Sequence, residues 1–282
     1  MRIGFIGAGK VGFSLGKYFA ENGAELSGYY SRSFTSAEDA AAFTGSKAFD
    51  EPAKLIKVSD AVFITVPDGT IRSVWDDIKL LDLKGKMICH CSGAMTAAEA
   101  FPDVLSKGAS GFSIHPLFPV SSKYETYKLL GSAFFCIEGD ADGISVWHDI
   151  FTSIGNPVRI IDGSVKVRYH AACAISSNLM CGLAQLSLDL LQKCGFTEHE
   201  ALEALRPLAM SNMQRLFEVG PNEALTGPVE RNDVSTVKKH LKCFDTDNDR
   251  AMYTSVSRKL TEIASKRHPD SDYSEMERLL SE

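Results

Sequence analysis

The sequence predicts an α/β protein: an N-terminal Rossmann domain with a doubly wound, mainly parallel sheet, followed by an all-helical C-terminal domain. Three observations predict it. As far as Ile161, short apolar runs alternate with amphipathic stretches, the pattern of parallel strands joined by crossover helices. Between the first run and the first helix stands a G-x-G-x-x-G, Gly7 to Gly12. After Asp162-Gly163-Ser164 the spacing turns helical over long segments with few breakers. The expected division is a nucleotide-binding Rossmann domain over 1–162 and a helical substrate or dimerisation domain over 163–282.

Taken in order, the strand-like runs are Arg2–Ile6, Ala24–Tyr30, Ala61–Val66, Lys86–Cys91, Ser110–His115, Ala133–Glu138 and Val158–Ile161. Between most of them lie amphipathic segments: Val11–Asn22, Ala37–Phe43, Ile71–Leu80 and Thr96–Ser106. Asn22-Gly23 ends the first helix and turns the chain into the next strand. In the second half, Ser164 is the expected N-cap of a helix that runs to Cys194-Gly195. Thr197, with Glu200 three residues on, is a capping box that opens another. A loop is expected from Gly220 to Asp233, and the remainder reads helical with an interruption at Pro269.

Composition narrows the class. With 44 % hydrophobic and 23 % charged residues, the 282-residue chain has the balance of a soluble globular protein. A net charge of −6 argues against a broad nucleic-acid surface. No stretch of about twenty apolar residues stands out, so no membrane span is expected. The N-terminus, MRIGFIGAGKVG, opens directly on a strand pattern rather than a signal peptide, and a cytoplasmic location is expected. The cysteines, at 89, 91, 136, 173, 181, 194 and 243, are odd in number and form no C-x-x-C, so they read as reduced thiols. Cys89 and Cys91 flank His90, but neighbours on a strand point to opposite faces, and no metal site is expected.

The glycine motif gains meaning from its context, since it follows a strand and opens a helix. Gly7 would make the tight turn, Gly9 would let a pyrophosphate approach the backbone, and Gly12 would let helix and strand pack closely. Ala8, Lys10 and Val11 complete the loop and the first helical turn, whose free N–H groups favour phosphate. At the end of the second strand an NAD site would place a carboxylate on the ribose hydroxyls. This chain has Tyr30-Ser31-Arg32-Ser33 instead. A guanidinium between two hydroxyls suits a 2′-phosphate, so the expected cofactor is NADP(H), with Ser31, Arg32 and Ser33 as its clamp. Val66 and Pro67, at the end of another strand, should line the same cleft. Ser92 and His115, which follow two further strands, should lie at the nicotinamide end.

Taken together, GAGKVG at 7–12, ITVPD at 64–68, HCSG at 90–93, IHP at 114–116, Lys166 with Tyr169-His170, Asn178 and TGPVERND at 226–233 resemble a known family. It joins a Rossmann-like NADP-binding domain to a helical C-terminal domain of unknown function, and the resemblance covers nearly the whole chain. Some members resemble alternative ketopantoate reductases. The wider 6-phosphogluconate-dehydrogenase-like superfamily holds ketopantoate reductases, 3-hydroxyacid dehydrogenases and pyrroline-5-carboxylate reductases. The resemblance thus implies an NADPH-dependent reductase of a small 2-keto acid, with ketopantoate the leading substrate. Two departures stand out. Asn232 replaces a usual glycine, which Asn tolerates because it can adopt positive φ. Leu117-Phe118-Pro119-Val120 replaces a segment that often carries glutamine, which suggests a more apolar pocket.

Ketone reduction needs a donor for the developing alkoxide and an anchor for the acid group. Lys166 and His170 lie four residues apart, on one face of a helix, and either could be the donor. Ser92, His115, Asn178 and Arg231 are the candidate substrate contacts, Arg231 as a fork for a carboxylate. Asn178 lies about 12 Å along the axis from His170 and cannot reach the same substrate atom. Two other readings stay open: an imine or pyrroline-5-carboxylate type reductase, and a non-catalytic NADPH sensor. The Ala-, Leu- and Met-rich stretch Ala171–Leu191 is apolar on several faces, which fits a homodimer formed through the helical domain.

Overall fold

Strand β1 (Arg2–Ile6) is buried along Ile3–Ile6, and its apolar run belongs at the centre of a parallel sheet covered on both faces. The computed structural model describes residues 1–281. From β1 the chain passes through α1 (Lys10–Glu21), β2 (Glu25–Tyr30), α2 (Phe34–Thr44), β3 (Ala48–Phe49), α3 (Pro52–Val58), β4 (Ala61–Ile64), α4 (Asp68–Ile78), β5 (Met87–His90), α5 (Ala97–Ala100) and β6 (Ser110–Leu117). It continues through β7 (Phe134–Gly139), α6 (Ala141–Ser153), β8 (Val158–Ile160) and α7 (Lys166–Ser176). The sheet order is β3-β2-β1-β4-β5-β6-β7-β8. Every neighbouring pair is parallel except β6 and β7, which are antiparallel. The order reverses at β1 and β4, which makes the crevice at their carboxyl ends the natural ligand site.

Separate apolar cores cover the two faces. Phe5, Phe19, Phe63, Trp147 and Phe151 pack on one, and Val62, Ile64, Trp75, Ile88 and Phe101 on the other. Alternation along β4 sends successive side chains to opposite cores, so Val62 and Phe63 fall in different clusters.

The first compact unit is Met1–Ser177 and the second begins at Asn178, against the expected division after residue 162; α7 goes with the sheet. The expected long helix is broken at Ser177, whose φ of −128° and ψ of −77° are not helical. Ser164 does not cap it. Asp162 caps the short 3-10 turn that precedes α7, accepting from Ser164 N at 2.8 Å, and α7 itself has no side-chain cap. By length and composition alone the run Gly163–Lys193 is apolar enough to cross a membrane, which corrects the expectation that no such stretch exists; only 11 % of its apolar window is buried.

The second unit holds α8 (Asn178–Lys193), α9 (Glu198–Ala224), α10 (Val234–Leu241), α11 (Asp247–Arg267) and α12 (Ser274–Leu279). The Thr197–Glu200 capping box opens α9 as expected, and α9 runs past Gly220, where φ is 79°. Helix α11 ends at Arg267, just before Pro269. A small core, with Val229, Val237, Ala264, Met276 and Leu280, gathers the C-terminal helices. By contrast α8 buries only Leu188 and α9 only Ala201.

Candidate functional site

The glycine loop has the form its spacing implies. Gly7 has φ of 110°, and its N–H donates to Tyr30 O at 2.8 Å. A Cβ there would lie 2.7 Å from Thr65 O. Gly12 must be bare because a Cβ would run into Gly7 O and Thr65 Oγ1. Gly9 differs: its nearest obstacle is Thr65 O at 3.8 Å, so nothing in the protein requires glycine there. The space beside it is what a pyrophosphate would use. Gly9 also N-caps α1 without a side-chain bond, which leaves the helix N–H groups available.

A cavity of about 430 Å³ opens over this loop, lined by Gly7, Ala8, Gly9, Tyr30, Ser31, Arg32, Thr65, Val66 and Pro67, with Thr70 and Ser73 from α4. Arg32 is exposed at the end of β2, where no carboxylate stands. These residues fit a dinucleotide bearing a 2′-phosphate. Ser33 does not line the cavity; its hydroxyl caps α2, accepting from Ser36 N at 3.4 Å. Lys10, Val11 and Gly12 lie in the first turn of α1 and do not line the cavity. Thr65, Thr70 and Ser73 were missed from the sequence, although their strand-end and first-turn positions marked them.

Further along the sheet a polar group gathers at the ends of β5 and β6 and the start of α7. The Ser92 hydroxyl donates to Asp68 Oδ2 at 2.6 Å and accepts from the N–H groups of Ala94 (3.3 Å) and Met95 (3.1 Å). It is buried and fully engaged, so it shapes the turn rather than meeting a substrate. Its own N–H donates to His90 Nδ1 at 3.1 Å. Burial holds His90 down to about 3, so this imidazole is neutral at pH 7.

Lys166 is the largest departure from expectation. It is fully buried, and its ammonium donates to Ser113 Oγ, whose hydroxyl donates in turn to Ser92 O at 3.1 Å. Burial lowers its pKa, opposed chiefly by the charge of Glu138, itself raised by burial. Lys166 therefore reaches inward to brace the β5–α5 turn and does not stand open to a substrate. The residues that face the turn are the next on that helix. Tyr169 OH and His115 Nδ1 lie 2.6 Å apart, and the His170 ring lies 6.3 Å from that of His115. A Cβ on Gly93 would meet His170 Cδ2 at 2.5 Å and His115 Nε2 at 2.9 Å, so a glycine is required for both rings to stand there. His115 lies within β6, opposite Cys136, and not beyond its end; the antiparallel pairing with β7 extends the strand. Burial, then the charges of Lys166 and His170, holds His115 down to about 4.

The remaining candidates belong to the second unit. Asn178 opens α8. Asn232 takes φ of 54°, the positive value that a glycine would supply. The acids flanking Arg231 are engaged elsewhere. Glu230 accepts from His268 Nε2 at 2.8 Å, and Asp233 caps α10 through Thr236 N at 3.0 Å. Arg231 is exposed and opens no α-helix or strand.

Comparison with known proteins agrees with this geometry. Residues 2–92 match the family described as NADP oxidoreductase coenzyme F420-dependent, and residues 133–260 match a domain of unknown function, DUF2520. No curated protein matches the chain. Among solved structures, the protein TM1727 of Thermotoga maritima is 27 % identical with a TM-score of 0.76, over 94 % of this chain and 99 % of its own. BF3122 of Bacteroides fragilis, provisionally an NADP oxidoreductase, is 20 % identical with a TM-score of 0.70, over 93 % and 98 %. An imine reductase from Myxococcus stipitatus, solved with NADP+, is 15 % identical with a TM-score of 0.63, over 99 % and 100 %. The last two share the fold. The N-terminal domain is an NADP-binding Rossmann domain, and NADP(H) is its cofactor.

Proposed function

We infer that the chain is an NADPH-dependent reductase, from the match of residues 2–92 to an NADP oxidoreductase family and of residues 133–260 to DUF2520. It reduces a small carbonyl compound with NADPH. The observation that carries this reading is the meeting of His115, Tyr169 and His170 beside Gly93, in the same unit as the glycine-loop cavity. Side chains of this kind can donate a hydrogen bond to a carbonyl oxygen on which charge builds as hydride arrives. When bound, the cofactor supplies that hydride. The chain's own part is to orient the carbonyl and hold the oxygen.

The favoured substrate class is a small 2-keto acid, with ketopantoate the leading member. The resemblance carried by Lys166 with Tyr169-His170 and by TGPVERND at 226–233 supports that class. A second reading, reduction of an imine, is favoured by the Asp68 carboxylate at the Ser92 turn, which would attract a cationic iminium, and by the withdrawal of Lys166 from the site. NADPH oxidation against a panel of 2-keto acids including ketopantoate, and of cyclic imines, tests both. Turnover of a keto acid supports the first; turnover of imines alone replaces it with the second. Tight NADPH binding with no turnover of either supports a sensor.

We also propose a homodimer formed through the helical domain. Leu208, Met210 and Phe217 on α9 are 61 %, 65 % and 78 % exposed, large apolar side chains that association would cover. Sedimentation should give twice the chain mass of 30.7 kDa; a monomer at micromolar concentration would refute the dimer.

A further inference from the structure

Two features of the polar cluster are independent of which compound is reduced. The first is the contact between Tyr169 OH and His115 Nδ1 at 2.6 Å, with the rings edge to face at 87°. The second is the position of the other imidazole nitrogen, Nε2, beside the bare Gly93 and the His170 ring. A phenol is a stronger donor than a neutral imidazole, and an imidazole nitrogen is a stronger acceptor than a phenol oxygen. The proton in the short contact therefore belongs to tyrosine. Donation from Tyr169 occupies the lone pair of Nδ1, so the proton of a neutral ring must sit on Nε2.

We propose that Tyr169 is the positioning residue that fixes His115 as the neutral Nε2–H tautomer, and that His115 Nε2–H is the donor to the substrate oxygen. The proposal rests on the reductase reading and names the donor that reading requires. The groups facing His115 are consistent with a neutral ring. From α7 these are Tyr169, His170 and the buried Lys166; from the start of α4, Asp68; from β7, Cys136, its partner across the strands. Lys166 and His170 disfavour a second proton on His115, and only Asp68 opposes them. Burial also raises the tyrosine, which keeps its own proton.

The step balances without a protein cation at the oxygen. As the carbonyl carbon accepts hydride, the C=O π pair moves to oxygen. His115 Nε2–H donates a hydrogen bond to that oxygen throughout. The alkoxide then takes a proton from water, and the hydroxide left behind is neutralised by the buffer. His115 ends in the tautomer in which it began, because Tyr169 never releases its proton. Gly93 is part of the device, since any side chain there would push the donor ring aside.

Nitrogen-15 NMR of histidine-labelled protein saturated with NADPH, without substrate, tests the tautomer directly. At pH 7 the wild type should show His115 as one neutral species with its proton on Nε2. Tyr169→Phe keeps the ring and removes the hydroxyl, and should convert the signal into a mixture of tautomers. An Nδ1–H tautomer in the wild type, a protonated His115, or a Tyr169→Phe spectrum unchanged from wild type would overturn the proposal. With a substrate found by the panel, His115→Phe should lower kcat roughly a hundred- to a thousand-fold with little change in KM. Tyr169→Phe should lower kcat by a smaller factor, again without raising KM. The spectrum is read without turnover, so failure of the tautomer and failure of the reductase reading are separate results.

Discussion

The glycine-loop cavity and the polar cluster beside Gly93 lie on one sheet, yet they are built by opposite means. At the cavity the working groups are backbone: Gly7 and Gly12 are forced by contact with Thr65 and Gly7 O, while Gly9 is left bare for a ligand. At the cluster the working groups are side chains whose direction depends on tertiary contacts. Lys166 turns inward to Ser113, and its neighbour Tyr169 turns to His115. A site made of backbone tolerates little substitution but is written in a local motif. A site made of side chains is defined only when β6 and α7 have docked.

That contrast can be broken at several points, beginning with the strongest effect. Gly9→Val should abolish NADPH binding, measured by fluorescence titration, while the thermal midpoint stays close to wild type, because the added side chain meets only the ligand's space. Gly12→Val should instead destabilise the fold itself. Retained NADPH affinity in Gly9→Val would reduce the loop to a turn.

The next effect is in stability. The folded chain protonates His115 only near pH 4, against 6.5 for the free side chain. Between those values the unfolded chain holds more protons, so stability falls as pH drops from 6.5 to about 4. The loss attributable to this ring is on the order of 3 kcal/mol. His90, which protonates only near pH 3, adds a loss of the same sign. Denaturant unfolding of His115→Gln across this range should show a shallower pH dependence; an unchanged slope would place the acid sensitivity elsewhere.

Arg32→Asp should reverse the preference for NADPH over NADH at a cost of roughly 2–3 kcal/mol in NADPH binding. The smallest effect is expected at Lys166. If its ammonium only braces the turn through Ser113, Lys166→Met should keep kcat within about tenfold of wild type, since replacing a buried charge by an apolar chain is often near neutral. A hundred-fold loss of kcat would return Lys166 to the chemistry.

The same contrast explains what could be read in advance. The first strand was legible to the residue, because its apolar run abuts the glycines. The two-residue β3 and the seven-residue α3 were not, since neither is long enough to show a period. Most cavity residues followed from the glycine loop and strand ends, whereas Thr65, Thr70 and Ser73 did not, and Ser33 lies outside the cavity. The inward direction of Lys166 was not legible, because a lysine in a helix's first turn gives no sign of which way it points, and its partner Ser113 lies 53 residues away. Tyr169 entered only through family resemblance; nothing in its spacing from His115 joins the two. The kink at Ser177 has no proline or glycine to mark it.

The claim on which the rest depends is that the cleft selects a cofactor carrying a 2′-phosphate. Parallel titration of the wild-type protein with NADPH and NADH, followed by cofactor fluorescence at one salt concentration, measures it directly. NADPH should bind at least about tenfold more tightly, a difference of about 1.4 kcal/mol. Equal affinities, or a preference for NADH, would contradict the assignment of Arg32 and with it the NADP(H) reading.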